Sequence, residues 1–222
     1  MAAQPVYRYF SERRYAEAFI AGQIRFCSLD QYRAMESDAA RGDRLEGQRL
    51  HRPSSGLVLN MADGRRIETP WTFSSTANTR DIFILCTSLK LAPELFELFQ
   101  ASCVVVIRSP GQLKGRINDA LGQRYRYKPW QLMSGTVSYY GLEDSPGIDW
   151  VPHRAAFCKV SNGYADQAEM RFAFGLDGAF QPDKVKVELH DGEGSVERAT
   201  DFPSPVTLQA KAMDRFCTLV DR

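Results

Sequence analysis

Apolar and polar positions alternate most regularly along Gln167-Ala168-Glu169-Met170-Arg171-Phe172-Ala173-Phe174, directly after a Gly163-Tyr164 turn. A period of two is that of a strand with one buried face. Ala168, Met170, Phe172 and Phe174 form the predicted inner face, and Gln167, Glu169 and Arg171 the outer one. Gln167 and Glu169 then stand side by side where the strand opens. An amide and a carboxylate so placed, behind an aromatic loop, suit a sugar hydroxyl; an ordinary solvated strand face accounts for the same spacing.

The same reading gives the rest of the chain. Val6-Tyr7-Arg8-Tyr9-Phe10 is a first strand with its arginine on the opposite side from the two tyrosines. A helix follows over 12–21, capped by Ser11, stapled by Phe10 and Tyr15, and closed by Gly22. Residues 23–28 make a second strand. Residues 56–61 and 65–71 make a hairpin around Asp63-Gly64. The most apolar run, 81–89, is a central strand that ends in Thr87-Ser88. Pro93 opens a helix, 102–108 returns as a strand, and Ser109-Pro110 starts a helix whose stripe is Leu113, Ile117 and Leu121. Further strands are predicted over 136–140, 155–160, 185–189 and 205–210.

Two stretches resist this pattern. Residues 35–53 are mostly polar and read as a long loop, a candidate lid; Asp38, Asp43 and Glu46 in it could be drawn as a cation site, but solvated loop charge is the better account of them. Residues 123–130 carry Arg124, Arg126 and Lys128 interleaved with Tyr125 and Tyr127. Cations for phosphates and flat rings for bases are what a nucleic-acid surface needs. An edge strand defended by charge has the same letters.

Composition narrows the class. At 222 residues, 44% hydrophobic and 25% charged, the chain reads as one folded α+β domain. A net charge of +1 demands no polyanionic partner. No apolar run has the length of a signal peptide or a membrane span, so a cytoplasmic protein without a membrane partner is expected. The five cysteines are widely spaced and read as free, buried thiols. Three histidines, none at ligand spacing to another, give no support to a metal site.

Arg8 on a first strand, Cys86-Thr87-Ser88 ending a central strand, and Gln167-Ala168-Glu169 opening a late one occur in an informative order. This resembles the arginine-serine-glutamate class of ADP-ribosyltransferases, with a Gln-x-Glu motif, in bacterial or phage form. The likeness spans the chain through short motifs, and Cys86 stands where that class has the first serine of Ser-Thr-Ser. It implies a core of two mainly antiparallel β-sheets around a cleft, with a few packed helices.

The resemblance also implies a chemistry. NAD⁺ is the substrate, its nicotinamide–ribose bond breaks through an oxocarbenium-like transition state, and ADP-ribose passes to a macromolecular acceptor, RNA, DNA or a protein side chain. Glu169 would hydrogen-bond the ribose and stabilise the developing charge, Arg8 would clamp the pyrophosphate or the neighbouring ribose, and Ser88 would hold Glu169, with Thr87 supporting the turn. Tyr164 would stack on nicotinamide or face the acceptor, and Gln167 would place the acceptor nucleophile. A toxin or phage-defence effector of this kind implies an inhibitory partner protein. Two rivals stay open: a nucleic-acid-binding protein using residues 124–130, and an inactive member of the fold serving as an interaction module.

Overall fold

The computed structural model describes residues 4–35, 43–124, 132–144, 152–161, 163–176, 178–192 and 201–222. Over these the chain is α+β, with short helices set against sheets that are almost wholly antiparallel.

The most apolar segment forms the centre. β7 (Ile82–Ser88) is buried along nearly its whole length. On one edge it pairs throughout with β12 (Glu169–Gly175), from Glu169 opposite Ser88 to Gly175 opposite Ile82, and β9 (Met133–Thr136) lies beyond β12. Its other edge forks. β2 (Gln23–Ser28) pairs at Ile84 and Phe83, while β1 (Val6–Phe10) pairs only at Tyr7 and Ser88. Outward from β1 follow β8 (Cys103–Ile107) and β15 (Cys217–Asp221), and outward from β2 follows β14 (Val206–Gln209). Apart from this eight-stranded sheet there is a three-stranded one, β13 (Lys186–His190), β6 (Thr72–Thr76) and β3 (Gln48–His51). The predicted hairpin is β4 (Leu57–Asn60) and β5 (Arg66–Thr69). β10 (Ser138–Tyr140) and β11 (Cys158–Val160) pair in parallel.

Two apolar layers cover the large sheet. One holds Val6, Phe19, Phe26, Leu85, Phe172 and Phe174, with α1 (Arg13–Ile20) and α4 (Pro110–Gly122) over it; the stripe Leu113, Ile117 and Leu121 is fully buried as its spacing predicts. Phe174 stacks on Phe83 with centroids 5.4 Å apart and meets Phe26 edge-on at 4.9 Å. The other layer holds Leu29, Ile82, Ile84, Ala156, Phe157 and Ala173, under α2 (Leu29–Ala34) and a 3₁₀ turn at Pro152–Phe157.

This second layer corrects the reading of β12. Its odd positions do not face water: Glu169 is 5% and Arg171 0% exposed. Other local expectations change too. The N-cap of α1 is Glu12, without a side-chain cap bond, not Ser11, and Tyr15 is half exposed beneath the Arg14 guanidinium. α2 has no counterpart among the predicted elements; Ser28 caps it by accepting from the Gln31 amide at 3.2 Å. Residues 136–140 divide between β9 and β10, and 155–157 belong to the 3₁₀ turn. The polar stretch 35–53 contains β3, and Asp43 and Glu46 are buried, not solvated. Gly22, at φ 102°, closes α1 as expected; a Cβ there would run into the Ala210 carbonyl.

Candidate functional site

Three adjacent strands bring the candidate residues to one end of the sheet. Tyr7 of β1 is opposite Ser88 of β7, which is opposite Glu169 of β12. Arg8 follows Tyr7 into the fork between β1 and β2, where its Nη1 donates to the Cys86 carbonyl at 2.5 Å. That carbonyl lies between the two short ladders on this edge of β7, so the guanidinium does there what a strand would otherwise do. Rings of Phe10 and Phe19 lie 5.4 and 5.8 Å from its carbon, and its Nε is buried without a hydrogen-bond partner.

The hydroxyls ending β7 are both committed to backbone. Thr87 Oγ1 donates to the Met170 carbonyl at 2.8 Å, and Ser88 Oγ donates to the Gln167 carbonyl at 2.7 Å while accepting from the Lys90 amide at 3.0 Å. Gln167 is buried in a 3₁₀ turn, Ala165–Gln167, and not in the strand. Ala168 between it and Glu169 is left-handed, at φ 43° and ψ 56°. That conformation is uncommon for a residue with a Cβ, and it interrupts the alternation that would set Gln167 and Glu169 on one face.

The carboxylate of Glu169 belongs to a buried group of four charges. Arg171 Nε donates to Glu169 Oε1 at 2.8 Å and Arg171 Nη2 to Oε2 at 3.1 Å. The same guanidinium donates to Glu46 Oε1 at 2.5 Å, Glu46 Oε2 at 2.9 Å and the Ala156 carbonyl at 2.6 Å. Lys159 Nζ is 3.1 Å from Glu169 Oε2 and 3.8 Å from Glu46 Oε2, and it sits 4.8 Å over the Tyr164 ring. Two carboxylates and two cations, each no more than 5% exposed, balance in charge. The Glu169 amide in turn donates to the Tyr139 hydroxyl at 3.0 Å.

Electrostatics follows from this packing. Burial opposes ionisation of Glu169, but the Arg171 and Lys159 charges outweigh it and pull the carboxyl down to about 2. The Cys86 thiol is driven far up by burial and by the Glu169 anion, so it keeps its proton and hydrogen-bonds that carboxylate. Asp43 is raised to about 6 by burial and then by Glu46; its Oδ1 accepts from the Leu45 amide at 2.9 Å, while Oδ2 has no hydrogen-bond partner.

So the sheet brings Arg8, Cys86, Thr87, Ser88 and Glu169 together, with Tyr164 and Gln167 on the adjoining turn. The hold expected of Ser88 on Glu169 is exerted by Arg171 and Lys159. Those two and Tyr139 are not among the residues the sequence singles out, and Glu46 enters the sequence reading only as loop charge or part of a cation site, not as a partner of Glu169; the signal that could have found them is an arginine two residues after Glu169 on the same strand face. Of the basic-aromatic patch, Arg124 donates to the Thr207 carbonyl at 2.8 Å, while Tyr125, Arg126, Tyr127 and Lys128 lie outside the described residues. An open groove of about 680 Å³ is lined by Arg52, Ser54, Glu68, Pro70 and Glu143, away from Glu169. Cys27, Cys103, Cys158 and Cys217 are buried and Cys86 is half-buried, and none of the five is in a disulfide. Among the described residues no helix is long and apolar enough to cross a membrane, and no cluster of His, Cys, Asp or Glu is arranged to hold a metal ion. No protein-family model, curated protein or solved structure matches the chain.

Proposed function

We propose that the chain is an NAD⁺-dependent mono-ADP-ribosyltransferase acting on a macromolecular acceptor. One observation carries the reading. Arg8, Cys86-Thr87-Ser88 and Glu169, picked out by their order in the sequence, fall on three strands that lie side by side, with Ser88 and Glu169 in register and Gln167 on the turn that leads into the third. Nothing in the spacing of these residues, up to 161 positions apart between Arg8 and Glu169, requires that adjacency.

In this reading Glu169 stays ionised throughout the physiological range and presents a fixed anion to the ribose. As the C1′–N bond breaks, nicotinamide leaves neutral with the bonding pair and positive charge grows on the sugar; an anion already in place favours that state over the ground state. Arg8, part-exposed and held in the fork by the Cys86 carbonyl, offers a guanidinium for a pyrophosphate oxygen or the neighbouring ribose. The acceptor nucleophile, or water, closes the C1′ bond and gives up its proton. Ser88 and Thr87 hold the turn and strand that present Gln167 and Glu169.

The experiment is release of nicotinamide from NAD⁺, with and without nucleic acid or cell lysate as acceptor, by the parental protein and by folded Glu169→Gln. Turnover by the parent and a fall of about two orders of magnitude in the variant are expected. Parental turnover by Glu169→Gln sinks the proposal. A second reading, a non-catalytic interaction module, is favoured by the enclosure of the Glu169 carboxylate between Arg171, Lys159 and Cys86; absence of NAD⁺ cleavage together with intact folding selects it. Salt-dependent binding of RNA or DNA without any cleavage selects the nucleic-acid-binding rival instead.

A further inference from the structure

We infer that Arg171 is the positioning residue for Glu169, and that Glu46 fixes Arg171 for that task from a segment remote in sequence. The inference rests on the transferase reading and adds to it the group that sets the carboxylate's orientation.

A guanidinium has five N–H donors in a rigid plane. All five are used here. Nε and one hydrogen of Nη2 grip the two oxygens of Glu169; the second hydrogen of Nη2 and one of Nη1 grip the two oxygens of Glu46; the last hydrogen of Nη1 goes to the Ala156 carbonyl. Arg171 is fully buried and paired on its own strand between Cys86 of β7 and Gly135 of β9, so its backbone cannot drift. Glu46 enters from the connection between α2 and β3, where Gly47, at φ 73°, packs against Leu29 and Thr79. With three of its five donors held from behind, the guanidinium can present the remaining two in only one direction. The Glu169 carboxylate is thereby locked in plane and in distance.

Ser88 cannot serve this purpose in the same arrangement. Its hydroxyl donates to Gln167 and accepts from Lys90, so its single hydrogen is spent on a carbonyl. Lysine at 171 would keep the charge and lose the fork, since an ammonium cannot bridge two carboxylates in one plane.

The test is steady-state NAD⁺ cleavage by Arg171→Lys and by Glu46→Gln, each checked for folding by thermal melting. A group that orients without touching NAD⁺ alters turnover and not ground-state affinity. Arg171→Lys is expected to lower kcat by about 10- to 100-fold, the scale of a misplaced catalytic group, with KM for NAD⁺ within about twofold. Glu46→Gln keeps one acceptor oxygen and should show a smaller loss in kcat with the same unchanged KM. Should Arg171→Lys fail to fold, Glu46→Gln carries the test. Parental kcat in a folded variant, or a rise in KM alone, overturns the inference and leaves the transferase reading standing. A parental protein that does not cleave NAD⁺ at all overturns both.

Discussion

Arg171→Met removes the hub of the buried charge group and leaves Glu46 and Glu169 sharing one cation, Lys159. The expected loss of folding free energy can be reached by two routes. Breaking a buried ion pair by deleting one partner costs about 3–5 kcal/mol, because a charge is stranded out of water. Independently, a carboxyl pulled from 4.5 to about 2 carries about 3 kcal/mol of stability at neutral pH. That contribution is fully present above pH 4.5, since the folded protein binds the Glu169 proton more weakly than the unfolded chain does, and it disappears as pH falls toward 2. Urea unfolding at pH 7 should therefore place Arg171→Met about 3–5 kcal/mol below the parent, with the gap narrowing between pH 4.5 and the acid limit of folding. The double variant Glu46→Gln with Arg171→Met restores one carboxylate to one cation and should recover at least half of that loss, about 2 kcal/mol relative to Arg171→Met alone. A single-variant loss below about 1 kcal/mol, the scale of an exposed pair, or a gap independent of pH, would refute the claim that these charges are desolvated and mutually dependent.

Asp43 behaves oppositely. Raised from 3.8 to about 6 by burial, it stabilises the fold below about pH 4 and the benefit is lost as pH rises through 6, so Asp43→Asn should be more stable than the parent by about 3 kcal/mol at about pH 7.5 and equal to it near pH 4; unfolding at the two pH values decides. Ala168→Gly relieves a left-handed residue and should raise stability by up to about 1 kcal/mol, read from the denaturation midpoint, whereas a decrease would show that the alanine methyl contributes packing. On the proposed function, Arg8→Ala should weaken NAD⁺ binding in calorimetry while changing the rate of the bound complex little, since a group that clamps phosphate or ribose would act in ground and transition states alike. Cys86→Ser replaces a weak thiol donor to Glu169 by a stronger hydroxyl and should leave the melting temperature within a few degrees, about 1 kcal/mol; a larger drop would mean that the volume of the sulfur matters more than its hydrogen bond.

Elements with a strong apolar signal of their own were legible in the sequence: β1, β2, the continuous apolar runs of β7 and β8, and the stripe of α4 all lie where that signal puts them. Those that escaped it are elements whose burial comes from distant partners. β6 reads Thr-Phe-Ser-Ser-Thr, polar by composition, yet Thr72, Ser74 and Ser75 are buried because β13 and β3 flank it. β15 carries only one fully buried residue, Cys217, and exists because β8 has an edge to offer. α2, six residues long beyond its Ser28 cap, is too short for an apolar stripe to repeat along it and mark it as a helix.

The site divides along the same line. The strands bearing Arg8, Ser88 and Glu169 could be located because each motif sits on a strand with a strong apolar pattern of its own. What surrounds Glu169 could not, because alternation assigns a face to a residue and says nothing of what covers that face. Arg171 and Glu169 read as solvated polar positions until the Pro152–Phe157 turn and the Asp43–Gly47 segment are laid over them. A fully buried arginine between two carboxylates is then the necessary consequence: once the face is closed, each charge must find a partner inside, and Glu46 comes from one of the segments that close it while Lys159 comes from β11, directly after the other. The covering segments and the charge group therefore stand or fall together, which is why a change at Glu46, 125 positions from Arg171, is expected to be felt at the end of β12.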